Sequence, residues 1–174
     1  MKRFTSKKVL VALTAAVVLI VAGIVTDHDW IVKKETSERD LTVAAQQVKG
    51  ALIDAYFEAH HMPLKGYGLK MVQEGEENEL DWRLLPAIAI RESSGGIHSC
   101  GANVFGWASC KRTFKTTEEA IETVALHLGG NATSTRAYYS SKTTEEKLRA
   151  YNPPSIVPTY VDEVLAIMEQ IAHR

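Results

Sequence analysis

Along the chain the hydrophobic pattern changes character once, sharply. Residues 9–25 form an apolar run broken only by Thr14, whereas beyond residue 26 apolar positions recur at intervals of three and four. That interval marks one face of an α-helix, and the strict alternation of a half-buried strand is almost absent. From residue 37 to residue 60 the recurring positions are Leu41, Ala44, Ala45, Val48, Ala51, Leu52, Ala55 and Tyr56. They predict a helix ended by Pro63, a stalk or first packing element, and short for a coiled coil. The turn Lys65-Gly66-Tyr67-Gly68 leads into a second helix reaching about Asn78.

A third helix follows, with Asp81 as its expected N-cap and Leu84, Leu85, Ala87 and Ile88 on its apolar face. Pro86 falls in the first turns, where its missing N–H costs least. The helix carries through Glu92 and stops at Ser93-Ser94-Gly95-Gly96. Residues 97–114 lose all periodicity and read as a long loop or a small hairpin. At that length an irregular stretch is usually functional. Capping boxes at Thr116-x-x-Glu119 and Thr143-x-x-Glu146 open two later helices, the first burying Ile121, Val124, Ala125 and Leu128. Tyr151-Asn152-Pro153-Pro154 breaks the chain again. Thr159 then caps a last helix with Val161, Val164, Leu165, Met168 and Ile171 inward. The expected fold is all-α with one irregular excursion and no internal repeat.

Charge sharpens the meaning of the first segment. Lys2, Arg3, Lys7 and Lys8 precede the apolar run, and no acid occurs before Asp27. Seventeen apolar residues at a helical rise extend roughly 26 Å, near the lower limit for a bilayer. Residues 1–26 therefore read as a signal anchor or a cleavable signal peptide, with the remainder outside the cytoplasmic membrane in the cell envelope. A connector and amphipathic helix follow over 27–62, then a domain over 63–174. From residue 26 onward, 16 Lys and Arg stand against 21 Asp and Glu, a net of −5. Nucleic acid is excluded as a partner, because its phosphates would be repelled. Cys100 and Cys110 are the only cysteines, and in an exported domain such a pair reads as a disulfide. Closing that loop would stabilise the fold by roughly 3 kcal/mol. Two thiols with only His98 nearby do not make a metal site.

Glu92 is the sharpest chemical candidate. It ends an apolar helix, where partial desolvation penalises a charged carboxylate and favours the proton a general acid must carry. Pairing with Arg91 or a lysine on a solvated face is the alternative, and periodicity leaves both open. The segment "LLPAIAIRESSG", residues 84–95, resembles the helix-to-loop motif of the lysozyme-like superfamily. There the glutamate before a serine is the catalytic acid. "AYNPP", residues 150–154, resembles the Ala-Tyr-Asn motif of soluble lytic transglycosylases. "TYVDEVLAIM", residues 159–168, resembles their closing helix. "NVFGW", residues 103–107, is similar to the glucosaminidase-like branch. Together the resemblance covers about residues 64–172.

The resemblance implies a lysozyme-like domain cutting the glycan strands of bacterial peptidoglycan, as an endo-β-N-acetylglucosaminidase or a lytic transglycosylase. Glu92 would be the general acid and Tyr151 the tyrosine that contacts its carboxyl group. Ser93 would brace the helix end, and Asn103, Phe105, Trp107, Tyr138 and Asn152 would complete the substrate-contacting set. Aromatic rings suit this task because pyranose faces are apolar and stack on them; Phe105 has the alternative of filling the core beneath the disulfide loop. Where transglycosylases usually carry a Gly-Leu-Met-Gln run, this chain has Phe105-Gly106-Trp107. Glu118, Glu119 and Glu122 are the candidates for a second carboxylate, although a helix N-terminus accounts for them electrostatically. No cofactor and no metal is expected, since acid catalysis at an anomeric carbon requires neither. The rival readings are a non-catalytic peptidoglycan-binding module and a membrane-anchored structural protein of the envelope.

Overall fold

The computed structural model describes residues 6–173, with side chains from residue 30 onward. Among the described residues the chain forms seven helices and no strand. It divides into two units, Met1–Ala44 and Ala45–Arg174. Helix α1 (Ser6–Ala59) begins in the first and ends in the second. The connector expected between the apolar run and the amphipathic helix is part of α1; it holds no glycine or proline to interrupt the helix. The apolar leader expected over residues 1–26 lies outside the residues whose side chains are described. Among the described residues no helix is long and apolar enough to cross a membrane.

In the second unit α1 is followed by α2 (Gly68–Glu77), α3 (Leu84–Ser93), α4 (Thr117–Leu128), α5 (Arg136–Tyr139), α6 (Thr144–Tyr151) and α7 (Tyr160–Ala172). Helix α3 is the centre. Leu84, Leu85, Ala87, Ile88 and Ala89 are all fully buried, and a helix apolar on every side must be enclosed. Each large side chain so buried contributes about 1.5–3 kcal/mol. Helices α2 and α7 pack on α3, α4 packs on α2, α5 lies on α4 and α6, and α6 lies on α7. The inward face of α7 holds Val161, Val164, Met168 and Ile171 as expected, with Leu165 half-buried, and adds Tyr160.

The inward face of α1 differs from the expected one. Leu41 and Val48 are 69% and 63% exposed, while Gly50, Ile53, Tyr56 and Phe57 are buried. Close approach decides this. A side chain on Gly50 would begin 2.8 Å from the Leu69 backbone, and one on Gly68 would begin 2.3 Å from the Gly50 carbonyl oxygen. The glycine face of α1 thus admits α2 at a distance that a side chain at either position would block. Asp54, on the same helix, accepts the N–H groups of Gly66 and Gly68 at 2.8 and 3.0 Å. It satisfies donors at the start of α2 that Tyr67, the N-cap, leaves unpaired through its side chain.

Three expected caps take other forms. Asp81 stands before the helix, which starts at Leu84 after Arg83; its carboxylate accepts the Arg83 backbone N–H and the Nε and Nη2 donors of the Arg83 side chain. Thr116 accepts the Glu119 N–H, but the Glu119 carboxylate takes the N–H of Lys115, so that box is half formed. Thr159 makes no side-chain cap because its hydroxyl donates to Glu163. The Thr143 box is complete. Ser94, left-handed with φ 52°, ends α3 and returns N–H groups to Ala89 and Ile90. The stretch 97–114 holds one isolated bridge, Cys100 to Asn103, and is a loop rather than a hairpin. A disulfide joins Cys100 and Cys110, whose Cα atoms are 6.0 Å apart.

Burial alone would push the Asp81 carboxyl group up, but the Arg83 side-chain and backbone donors outweigh it and hold it below its ordinary value of 3.8. A carboxylate so held stabilises the fold above that value and loses the contribution as pH falls through its lower folded-state value. Asp81→Asn should therefore lower the Tm at neutral pH, and the deficit should shrink in strong acid. A deficit of equal size in strong acid would contradict this role for the charge.

Candidate active site

Helix α3 ends at the floor of an open groove of about 600 Å³. Glu92, half-buried on its last turn, lines that groove. The walls come from four places: the loop at Gly106, Trp107, Ala108 and Ser109; Thr135, Tyr138 and Tyr139 at and within α5; Ala150 and Tyr151 at the end of α6; and Asn152, Pro153 and Ile156 beyond it. The chain brings these together because α3 cannot continue past Ser94, and the excursion it enters must fold back over its end. Ser93 makes that fold-back specific. Its hydroxyl lies 2.9 Å from the Ala89 carbonyl oxygen and 2.7 Å from that of Val104, and it accepts the Gly96 N–H at 3.0 Å.

The carboxylate is held from one side. Tyr160, the first residue of α7, donates its phenol to Glu92 Oε1 at 2.7 Å. Burial, and then the neighbouring Glu92 charge, pushes the Tyr160 phenol far above its ordinary value, so it remains a donor at every working pH. The other oxygen, Oε2, faces Gly106, where an added Cβ would sit 3.0 Å away. Arg91 is committed elsewhere: it pairs with Glu163 and lies 5.7 Å over the Tyr160 ring. Among the described residues Glu92 makes no ion pair. The solvated-pair alternative therefore does not describe this carboxylate.

Aromatic rings run beside it. Tyr160 and Tyr151 stack at 6.2 Å, Tyr151 and Trp107 lie 5.6 Å apart, and Trp107 and His127 lie 5.1 Å apart. Burial, reinforced by Arg112, lowers the His127 imidazole below its ordinary value, leaving it neutral near pH 7; its Nδ1 lies 2.8 Å from the Thr135 hydroxyl oxygen. Burial lifts the Tyr151 phenol well above its ordinary range, with the Glu92 charge adding to the effect, and lifts that of Tyr139 to about 12.

Of the residues singled out from sequence, Trp107, Tyr138, Tyr151 and Asn152 line the groove with Glu92. Ser93, Asn103 and Phe105 do not, being 2%, 1% and 0% exposed. Each holds the loop instead. The Asn103 side chain binds the Trp107 N–H and the carbonyl groups of Trp107 and Arg112, while Phe105 fills the core and accepts the Tyr151 phenol on its backbone carbonyl. The tyrosine hydrogen-bonded to Glu92 is consequently Tyr160 rather than Tyr151. Its signal was present in the sequence: Tyr160 shares the four-residue spacing of Val164 and Met168, the inward face of α7.

None of the candidate second carboxylates reaches the groove. Glu122 pairs with Lys70 on another face, Glu119 caps α4, and Glu118 is exposed. No group of three or more metal-ligating side chains occurs among the described residues. The arrangement offers one carboxyl group, anchored through one oxygen, beside an aromatic wall.

Gly106 has φ +60° and faces Glu92. Gly106→Ala should lower stability by about 1–2 kcal/mol through left-handed strain and displace the carboxylate. Thermal unfolding and a crystal structure of the variant check both parts; native stability with an unmoved Glu92 would contradict the packing described.

No protein-family model, curated protein or solved structure matches the chain.

Proposed function

We propose that the chain cleaves the glycan strands of bacterial peptidoglycan, with Glu92 as the general acid that protonates the glycosidic oxygen. The observation that carries this reading is the lone carboxyl group on the groove floor, flanked by Trp107, Tyr138 and Tyr151. The proton is delivered from Oε2, since the Tyr160 phenol already occupies Oε1. Protonation lets the bond between the anomeric carbon and the leaving oxygen break as the leaving sugar departs neutral. Glu92 is then an anion and serves as the base.

With no second carboxylate lining the groove among the described residues, the attacking oxygen is the sugar's own hydroxyl. It bonds to the anomeric carbon and returns its proton to Glu92, leaving an anhydro-sugar end and restoring the acid. This favours lytic transglycosylase chemistry over a two-carboxylate hydrolase. In the same reading residues 1–26 tether or export the domain, which then acts outside the cytoplasmic membrane.

Glu92→Gln should keep the native unfolding temperature to within a few degrees and abolish release of fragments from sacculi. Full lytic activity in that variant would sink the proposal. Tyr160→Phe should lower kcat roughly ten- to a hundred-fold, because a hydrogen bond to a charged group is worth about 1.5–3 kcal/mol. Mass spectrometry of the fragments distinguishes the chemistry: anhydro ends support internal attack, and reducing ends alone exclude it.

A further inference from the structure

The cations of the second unit are unevenly matched. Lys49, Lys65, Lys70 and Arg83 each face a carboxylate, as do Arg91, Lys142 and Arg149. Lys147 turns inward, donating to the Leu128 and Tyr139 carbonyl groups at 2.6 and 2.9 Å. Among the described residues, the Lys and Arg side chains of this unit left without an ion pair are Lys111, Arg112, Lys115 and Arg136. The fold gathers three of them at one end of the groove. Asn103 Nδ2 lies 3.0 Å from both the Trp107 and the Arg112 carbonyl oxygens, so Arg112 is tied back beside the wall. Lys111, just before it, donates its backbone N–H to the carbonyl group of Ala108, a wall residue. His127 brings up Arg136 from the other side. Its ring lies 5.1 Å from that of Trp107, and its Nδ1 lies 2.8 Å from the hydroxyl oxygen of Thr135, the wall residue before Arg136. Burial and then the nearby Arg112 charge lower the His127 imidazole, in keeping with a guanidinium at this end.

All three side chains are exposed. The Arg112 guanidinium lies 5.3 Å over the Phe114 ring, a contact that steadies it while leaving its in-plane N–H donors open. From residue 26 onward 16 Lys and Arg stand against 21 Asp and Glu, so carboxylate partners are plentiful. Yet the acids between Ser93 and Arg136 are only Glu118, Glu119 and Glu122, all on α4. Glu122 pairs with Lys70 and Glu119 accepts the Lys115 N–H. A positive end is thus preserved on an acidic domain, where it favours an anion. The rings of Tyr160, Tyr151, Trp107 and His127 lead to it from Glu92. A sugar chain laid along them carries its substituents to the cations, and guanidinium groups match carboxylates well. We infer that Lys111, Arg112 and Arg136 recognise carboxylates borne by the glycan, so that the groove takes an anionic strand in preference to a neutral N-acetylglucosamine polymer. This rests on the reading of the groove as a glycan-cleaving site. A peptidoglycan strand offers such carboxylates in two places: on its peptide stems, and on the ether substituent of the sugar once a stem has been hydrolysed away.

The test is calorimetric titration of the full-length chain carrying Glu92→Gln, so that ligand stays intact. Three oligosaccharides of equal length are compared: a neutral N-acetylglucosamine oligomer, a stem-bearing peptidoglycan fragment, and the same fragment freed of its stems by an amidase. At least one carboxylate-bearing fragment should bind about tenfold or more tightly than the neutral oligomer. Preference for both, or for the stripped fragment alone, names the ring-borne carboxylate, and preference for the stem-bearing fragment alone names the stem. Neutral binding as tight as either overturns the inference. Adding Lys111→Gln, Arg112→Gln and Arg136→Gln together should bring the ligands to within about twofold of parity. A preference that survives the three substitutions contradicts the assignment. Raising the ionic strength supplies a measurement without these variants: the preference should shrink with salt, and a preference indifferent to salt counts against recognition by charge. Cleavage by the chain with its native Glu92 separates this result from the reading beneath it. Preference without cleavage sinks the catalytic reading and upholds the cationic end, whereas cleavage without preference does the reverse. Binding of none of the three overturns both.

Discussion

The hydrogen bond from Tyr160 to Glu92 Oε1 joins the start of α7 to the end of α3, the two helices whose contact forms the heart of the second unit. Burial keeps the proton on the Tyr160 phenol, so the tyrosine is the donor of the pair and Glu92 Oε1 the acceptor. The orientation of the carboxylate is therefore set by packing of the core rather than by a flexible loop. A carboxylate placed on a solvated turn would sample many rotamers. Here one oxygen is spoken for and the other faces Gly106 and the groove.

The groove follows from how α3 is terminated. A helix buried on all sides must leave the core abruptly, and the left-handed Ser94 with the glycines behind it permits the turn. The excursion beyond lacks regular backbone pairing, so its polar groups need partners from side chains. Ser93 and Asn103 supply them from inside, and the disulfide closes the loop from outside. Tyr151 adds a further tie by donating to the Phe105 carbonyl. Residues that resemble substrate contacts in a linear motif thus prove to be the internal scaffold of the wall. The rings left on the groove side, Trp107 and Tyr138, are those the scaffold does not consume.

Much of the helical plan could be read in the sequence because it rests on local signals. The periodicity of α3 and α7 and the reciprocal bonds of the Thr143 box depend on residues three or four apart, and the structure keeps them. The features that differed depend on distant partners. Which face of α1 turns inward is decided by the meeting of Gly50 with Gly68, invisible to a scale that scores glycine as neutral. The donors at the start of α2 are met by Asp54, more than ten residues earlier in the chain. Asp81 is drawn to the Arg83 guanidinium, and Thr159 to Glu163. At the site, Glu92 was legible because an isolated acid at the end of an apolar helix is conspicuous. Tyr160 was not, since on an inward helical face a tyrosine looks like one more core residue until its hydroxyl finds a partner.

If Glu92 is the proton donor to a glycosidic oxygen, its side chain must meet that oxygen in the bound complex. A crystal structure of the Glu92→Gln chain with a bound peptidoglycan oligosaccharide tests it most directly. Sugar rings should lie against Trp107 and Tyr138, with a glycosidic oxygen within about 3 Å of the residue 92 amide. An oligosaccharide bound away from the groove, or seated in it with every glycosidic oxygen beyond hydrogen-bond reach of residue 92, would contradict it.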